Sequence, residues 1–491
     1  MSEQRTTKRH DERTGPRRDG GSRGGRSHEG PRRTAGARGP RDARLATPTT
    51  REHAEPPTES MNDGPALGVI SAEPPKRRRS LTNVGGEVET SGDRKMAELL
   101  THALDVAPAT DEGADDRAHV HGFHAYPARA HPVTVRRLIE DLVPAGGTVL
   151  DPFCGSGTVL IEAMLAGRAT VGSDLNPIAV MLARAKTYPR TPEKTQALVE
   201  AARGVAAHAE SRRKAKAGAS RRLPQEDVSL FPPHVLLELD GLRAGIGDAP
   251  PEHRPDLSLV LSSILVKLSP RRGDTSEGTV EKRIAAGYPS RLFVKKTEEL
   301  ARRFDDFAML LRNNARASAP PRARVFEDDA NVLAKVADAS IDAVITSPPY
   351  VATYDYLQHH ELRMRWLDLD ARKLARGEIG ARRNYERLSP RDAVTSWERE
   401  LAKLFHSLAR VMKPGAPLVL LIADSASARG PRGERAEPIR ADDVVGRVAE
   451  RGGELTPVAR ASQARPHFHG PTQGAFSGRP RFEHALLLRR A

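Results

Sequence analysis

The sequence predicts an α/β fold, a mostly parallel seven-stranded sheet with helices on both faces. Three observations carry that reading. From about Phe123 onward, short apolar runs alternate with helical stretches, the pattern of strands buried on both sides. A glycine-rich turn at 155–157 follows one run and opens a helix, as at the carboxyl edge of a doubly wound sheet. The alternation stops between about Arg190 and Pro321 and then resumes, which marks an insertion inside one domain rather than a second domain.

Residues 1–90 come first and are expected to be disordered. No Phe, Trp or Tyr precedes Phe123, and residues 1–45 hold 12 Arg and 8 Gly. Such a segment cannot bury enough apolar surface to offset the entropy of ordering it. It reads either as an arm that tracks a phosphate backbone or as a solubilising tail. Met96–Val106 predicts a helix at the start of a folded domain spanning 91–491. Thr148-Val149-Leu150 predicts a strand, with a helix running through Ala166. Ala169-Thr170-Val171-Gly172 predicts the next strand, and Pro177 opens a helix to about Lys186, where proline suits the first helical turn. Arg324-Val325-Phe326 and Asp342-Ala343-Val344-Ile345 read as strands separated by a helix. Pro417–Ile422 and His484–Leu488 supply later strands.

The insertion, 190–320, carries helical patterns at Val235–Leu242, Leu257–Lys267 and Leu292–Leu311. Its basic pairs Arg271-Arg272, Lys282-Arg283 and Lys295-Lys296 fit a nucleic-acid-facing surface or else a solvated helical face. The whole chain has 78 Lys+Arg against 64 Asp+Glu, a formal net charge of +14, which suits a polyanionic partner. Residues 1–100 hold 20 Lys+Arg and 15 Asp+Glu, so most of the excess belongs to the part that folds. A single cysteine excludes a disulfide framework and a thiolate zinc site. No apolar run has the length of a membrane span, so no membrane association and a cytoplasmic location are expected.

Two motifs carry chemistry. Asp151-Pro152-Phe153-Cys154-Gly155-Ser156-Gly157 lies between a strand and a helix, and Asp174 ends the next strand 23 residues after Asp151. That spacing lets a carboxylate receive the two hydroxyls of a ribose. A dinucleotide site is disfavoured, because Leu160 stands where a third glycine would be and an acid precedes the turn. A carboxylate there suits a cationic amino group, such as that on the methionine part of S-adenosylmethionine. The second motif is Ser347-Pro348-Pro349-Tyr350, at a strand end. An exocyclic amine on an aromatic base is a poor nucleophile, since its lone pair is delocalised into the ring. The Ser347 hydroxyl and the Pro348 carbonyl could accept its N–H groups and favour a pyramidal nitrogen, while Tyr350 offers a stacking face.

Together these motifs resemble the S-adenosylmethionine-dependent amino-methyltransferases of nucleic acids, on the class I methyltransferase fold (Rossmann-like). Ile345-Thr346-Ser347-Pro348-Pro349-Tyr350 resembles the signature of cytosine-N4-specific DNA methyltransferases. The resemblance covers roughly 120–190 and 320–490, and its motif order implies that the insertion between them, 190–320, is a candidate target-recognition region. It implies S-adenosylmethionine as cofactor and transfer to cytosine N4 in DNA, as in restriction-linked members. It assigns Asp151, Pro152, Phe153, Gly155, Ser156 and Gly157 to the cofactor turn, Asp174 to the ribose, and Asn176 to the cofactor site. Asp329 is placed near the adenine ring, and Tyr126, in Phe123–Arg129, against the methionine moiety. Ser347, Pro348, Pro349 and Tyr350 become the catalytic group. Some tRNA guanine-N2 methyltransferases share the fold and a similar motif, so RNA is the alternative substrate. A non-catalytic nucleic-acid binder on a degenerate version of the fold is a further one. No metal is expected: His359-His360-Glu361 reads as a solvated or substrate-facing helix, and Cys154 as a packing residue.

Overall fold

The structure, a computed structural model, describes residues 87–106, 117–273, 278–314, 323–427, 436–465 and 473–491. The tail expected over 1–90 therefore lies outside the described residues save for 87–90. In chain order the first elements are β1 (Val88–Gly92), α1 (Arg94–Leu104), α2 (Pro132–Leu142), β2 (Thr148–Asp151), α3 (Thr158–Leu165), β3 (Ala169–Asp174) and α4 (Pro177–Thr187). Five helices follow in the insertion: α5 (Pro192–Lys214), α6 (Gln225–Leu230), α7 (Pro233–Asp248), α8 (Arg254–Leu268) and α9 (Tyr288–Asn314). The chain resumes the sheet with β4 (Ala323–Glu327) and β5 (Ala343–Thr346), then α10 (Tyr356–Trp366), α11 (Arg372–Gly377), α12 (Arg382–Tyr385) and α13 (Pro390–Val411). It ends with β6 (Pro417–Ala423), the short pair β7 (Ser425–Ala426) and β8 (Pro438–Ile439), α14 (Ala441–Gly452), β9 (Leu455–Arg465) and β10 (Arg481–Arg490).

The main sheet has eight strands in the order β4-β3-β2-β5-β6-β10-β9-β1. Strands β4 to β6 pair in parallel, while β10, β9 and β1 are antiparallel. The expectation of seven strands is corrected by β1, which pairs with β9 from Val88↔Gln463 to Gly92↔Ala459. Its residues are mostly exposed and polar, so no apolar run announced it, and the expected tail boundary at 90 falls inside it. The strand order reverses between β2 and β5, which opens a crevice at their carboxyl ends, the place where ligands bind in open α/β sheets.

One face of the sheet packs Val344, Leu418, Leu420 and Leu486 against Trp397, Leu401 and Leu404 of α13 and Val444 and Val448 of α14. The other packs Val149, Val419, Leu421 and Leu487 against Leu100 of α1 and Leu138 and Ile139 of α2. Insertion helices α5, α7, α8 and α9 share a further core with α4 and α10, built on residues such as Leu239, Ile264, Phe293, Phe304 and Trp366. The insertion is thereby fused to the helices that flank the crevice. The helix expected between β4 and β5 is absent: residues 328–341 form turns. Asp328 and Asp329 draw the backbone into those turns by accepting from the N–H groups of Asp329, Lys335 and Asn331, and side chains that bond local backbone compete with helix. No helix among the described residues is long and apolar enough to cross a membrane.

Candidate active site

A cleft of about 820 Å³, mouth included, opens over the carboxyl ends of β2, β3, β4 and β5. Its floor is the turn after β2. Gly155 has φ +48°, and a Cβ there would stand 3.0 Å from Tyr126 Cε1. Only a residue without a side chain both adopts that conformation freely and lets the tyrosine ring close on the turn. The amide of Gly155 donates to Asp174 Oδ2 at 2.9 Å, and Asn176 N–H donates to Oδ1 at 2.8 Å. Both Asp174 oxygens are thus oriented by backbone, and each keeps a lone pair for a ligand. Burial raises Asp174 to about 6.

Asp151 is buried at the end of β2. Its Oδ1 accepts from Thr346 Oγ1 at 2.6 Å and from Phe153 N–H at 3.1 Å. Burial raises it to about 7, against those two hydrogen bonds, and the nearby Asp174 charge adds to the rise. Asp328 spends both oxygens on backbone N–H groups, whereas Asp329 bonds Asn331 N–H through Oδ1 alone. Asp329 therefore offers the freer carboxylate to the cleft.

Of the residues singled out in sequence, Tyr126, Asp151, Pro152, Phe153, Gly155, Ser156, Asp174, Asn176 and Asp329 all line this cleft, together with Ser347 and Pro349. Gly157 does not; it caps α3 and packs against Ala183 of α4. Asn176 is committed structurally: its Oδ1 caps α4 through Ile178 N–H, and its Nδ2 meets Tyr126 Oη and His360 Nδ1. His360, expected on a solvated or substrate-facing helix, is instead buried and holds Asn176. Pro348 is buried behind the wall. Tyr350 differs most from expectation. Only 4% exposed, its ring packs in the core beside the sheet rather than presenting a face to the cleft. Burying so large a ring outweighs display at an edge. Burial raises the Tyr350 phenol well above the usual range, while a hydrogen bond with the Ser347 side chain opposes that rise.

Sequence reasoning missed the roof. Gly377, Glu378 and Ile379 also line the cleft. A Cβ on Gly377 would lie 2.7 Å from Leu175 Cδ1 and 3.6 Å from Asp329 Oδ2, so α11 ends in close contact with the cleft wall. Glu378 is buried and accepts from Tyr356 N–H at 2.7 Å and from Arg383 at 2.6 Å, fixing Tyr356 at the cleft. The only signal in the sequence was the glycine pair Gly377 and Gly380 in a polar stretch.

The donor set suits a cationic, hydroxyl-bearing ligand. Asp151, Asp174, Asp328, Asp329 and Glu378 face the cleft against one guanidinium, Arg129. Ser156 Oγ is buried there without a hydrogen-bond partner among the described residues, an opening for a ligand group. These features fit S-adenosylmethionine, with its sulfonium and ribose. Among the described residues, two buried groups of metal-ligand type occur elsewhere, His119–His121–Glu162 and Asp424–Asp442–His484. In each an arginine already bonds a carboxylate, Arg136 on Glu162 at 2.8 Å and Arg440 on Asp424 at 2.6 Å, so both are filled ion-pair networks.

Comparison with known proteins agrees with this chemistry. Residues 101–184 match the family model described as DNA methylase, and 143–228 match an RMKL-like methyltransferase domain. The chain is 26% identical over 303 residues to the type II methyltransferase M.BsoBI of Geobacillus stearothermophilus, covering 53% of this chain and 55% of that one. It is 39% identical over 77 residues to M.MvaI of Kocuria varians, 15% of this chain and 17% of that one. A 61-residue stretch is 43% identical to a tRNA (guanine(10)-N2)-dimethyltransferase of Methanothermobacter thermautotrophicus, 12% and 18% of the two chains. The chain thus spans about half or less of the length of these curated relatives. Among solved structures, the rRNA methyltransferase aviRa of Streptomyces viridochromogenes aligns with TM-score 0.30 and 14% identity over 79% of this chain and 95% of that one. The sequence matches relate the chain to S-adenosylmethionine-dependent nucleic-acid methyltransferases of the N4/N6 type, and S-adenosylmethionine is the cofactor of that chemistry.

Proposed function

We propose that this protein methylates the exocyclic N4 amine of cytosine in DNA. The observation that carries the reading is the joint between the two motifs. Ser347 and Pro349 form one wall of an acidic cleft whose floor is the Asp151–Ser156 turn, and Thr346 bonds directly to Asp151. When bound, S-adenosylmethionine supplies an electrophilic methyl group. The chain's own part is to hold and orient. Asp174 receives ribose hydroxyls on its two pre-oriented oxygens, and Asp329 accepts from an adenine amine. Asp151, with Asp174 and Glu378, makes the cleft favourable to positive charge. Tyr126 and Arg129 bound the end where the methionine moiety lies. Pro349 and Tyr356 shape the opening through which a base enters.

At Ser347 the hydroxyl and the Pro348 carbonyl accept the two amine N–H groups. This draws nitrogen toward tetrahedral geometry and leaves its lone pair free to align with the methyl. A base in duplex DNA reaches that position only out of its stack. The basic pairs of the insertion, on a body fused to the cleft's flanking helices, support its role in holding the nucleic acid. A second reading, methylation of guanine N2 in tRNA, is favoured by the stretch shared with the archaeal tRNA enzyme.

The test is incubation of the full chain with labelled S-adenosylmethionine and, separately, amplified unmethylated genomic DNA or tRNA, followed by nucleoside mass spectrometry. N4-methylcytosine in DNA supports the proposal; N2-methylguanosine in tRNA supports the second reading; no product from either rejects both. Ser347→Ala should keep cofactor affinity while transfer falls roughly a hundredfold, the scale for one transition-state hydrogen bond.

A further inference from the structure

The insertion holds a second concavity that the reaction above does not use. Helices α5 and α9 bound a groove of about 1330 Å³, mouth included. Along its α9 wall stand Arg291, Lys295 and Arg302, all exposed. Spacings of four and seven residues bring them onto one helix face, within about 40° of one another. The carboxylates at the groove are already paired. Glu298 meets Arg203 of α5 at 3.3 Å, Glu210 meets Arg213 and Lys214 at 3.5 and 3.0 Å, and Glu299 meets both Lys296 and Arg303. Lys282 is also committed, donating to the carbonyls of Val266, Lys267 and Arg271. Arg291, Lys295 and Arg302 form no ion pair among the described residues.

Hydrogen bonds fix where this stripe lies relative to the cleft. Arg303, next to Arg302, donates to the carbonyls of Arg117 and His119 at 2.8 and 2.7 Å. Arg129, which lines the cleft, donates to the carbonyl of His121 at 2.6 Å. The short turn His119–Gly122 is thus gripped both from the cleft and from α9, which sets Arg302 near the cleft's rim. Helix α3 starts at the cleft and runs away from it to Leu165, whose carbonyl accepts from Asn314 at the end of α9 at 3.3 Å. The part of α9 after Arg303 therefore descends alongside α3. The part before it runs the other way, carrying Lys295 and Arg291 about 10 and 16 Å farther out at 1.5 Å per residue.

Resting on the reading of the preceding section that DNA is the substrate, we propose that the α5–α9 groove carries the phosphate backbone of the duplex beside the target base, with Arg291, Lys295 and Arg302 each neutralising a phosphate. Three unpaired cations in a row suit a polyanion. Their span of about 16 Å matches roughly five steps of a duplex at 3.4 Å per strand residue. Between them the groove presents Ala206, Ala207 and Val294, whose side chains have no donor or acceptor with which to read a base edge. The groove therefore positions the duplex without specifying its sequence.

The experiment measures binding of the full chain to a labelled unmethylated duplex by fluorescence anisotropy across a salt series. It compares wild type with the combined variant Arg291→Gln, Lys295→Gln, Arg302→Gln, and with a control of equal charge, Arg94→Gln, Lys95→Gln, Arg399→Gln, at exposed positions on α1 and α13. For the groove variant the slope of log affinity against log salt should flatten by about 2–3, and affinity at fixed salt should fall at least about tenfold. Cofactor affinity should be unchanged, and turnover at saturating DNA should stay within about twofold, the mark of binding lost equally from ground and transition states. A wild-type slope in the groove variant would overturn the proposal. So would an equal flattening in the control, which reports net charge alone, or a flattening seen with tRNA and not with the duplex. If the combined variant loses cofactor binding and so its fold, the three single variants decide, each expected to flatten the slope by about 0.9. Wild-type protein that makes no N4-methylcytosine rejects the parent reading instead, by product analysis that the binding slopes do not depend on.

Discussion

The Thr346 hydroxyl donates to Asp151 Oδ1 at 2.6 Å, joining the ends of the adjacent parallel strands β5 and β2. Thr346 immediately precedes Ser347, so the acidic turn and the Ser-Pro-Pro-Tyr segment share one buried frame. Thr346→Val keeps volume and β-branching but removes the donor. Asp151 would then rely on Phe153 N–H alone, and its pKa, already about 7, would rise further. The expected loss of stability at pH 8 is about 1–3 kcal/mol. At pH 5, where the carboxyl is protonated in the fold, the loss should be smaller. Urea unfolding at the two pH values checks this, and an equal loss at both would contradict it.

The same carboxylates predict how cofactor binding follows pH. Burial raises Asp151 to about 7 and Asp174 to about 6 from an ordinary 3.8. Between about pH 4 and 7 the fold holds protons that the unfolded chain has released, so these groups make stability fall as pH rises through that window and level off above it. A cationic ligand prefers the ionised pair. Affinity for S-adenosylmethionine should therefore climb from pH 5 to 7, by up to about tenfold per unit for each group titrating, with proton release. Calorimetry in two buffers of different ionisation enthalpy measures both quantities. Asp174→Asn should remove the lower part of the rise, and a flat profile in wild type would reject the assignment.

Much of this site was legible because its signals are local. Asp151, Gly155 and Asp174 are marked by a strand, a turn and a fixed spacing within one βαβ unit. What was not legible depends on contacts distant in sequence. Gly377 matters because it touches Leu175, and Glu378 because it meets Tyr356 and Arg383. The helix expected between β4 and β5 failed because Asp328 and Asp329 bond nearby backbone, and Leu333 and Ala339 adopt φ +48° and +47°. The ring of Tyr350 turns inward because a core position was open to it, which strand-end placement alone could not reveal. The edge strand β1 has almost no apolar side to read.

The roof gives a prediction that separates binding from folding. A Cβ at Gly377 meets only the tip of the Leu175 side chain below 3.0 Å, and a flexible tip can move. Gly377→Ala should be tolerated, with a change in cofactor affinity below about threefold. Gly377→Val adds two branches at the same place, and overpacking of this kind typically costs 1–3 kcal/mol. Because the contacts a side chain at 377 would meet, Leu175 and Asp329, both belong to the cleft, that cost should appear chiefly as roughly tenfold weaker cofactor binding, with a smaller change in melting temperature. Equal affinity for Gly377→Val and wild type would remove Gly377–Ile379 from the binding site.

Glu400 of α13 predicts a positioning effect on the segment proposed to act on the amine, Ser347–Tyr350, without touching it. Its Oε2 accepts from Gly380 N–H at 2.9 Å and from Tyr385 Oη at 2.8 Å. The carbonyl of Gly380 in turn accepts from Ala352 N–H at 2.9 Å. Gly380 has φ +66°, and a Cβ there would stand 3.3 Å from the Pro349 carbonyl and from Val351 Cα, so the two segments lie backbone to backbone. Ala352 holds φ +56°, a conformation that a non-glycine residue keeps only when its surroundings enforce it. Removing the acceptor with Glu400→Leu should let the 347–352 turn relax and lower the rate of methyl transfer roughly 10- to 100-fold, while cofactor affinity, set chiefly by the Asp151–Ser156 turn and Asp174, stays within about twofold. Since both hydrogen bonds end on one oxygen, Glu400→Gln can present its amide oxygen to the same two donors and should restore most of the rate. A role confined to stability would lower the melting temperature of Glu400→Leu and leave turnover per folded molecule unchanged. Turnover at constant cofactor affinity, rescued by glutamine, is what only positioning produces.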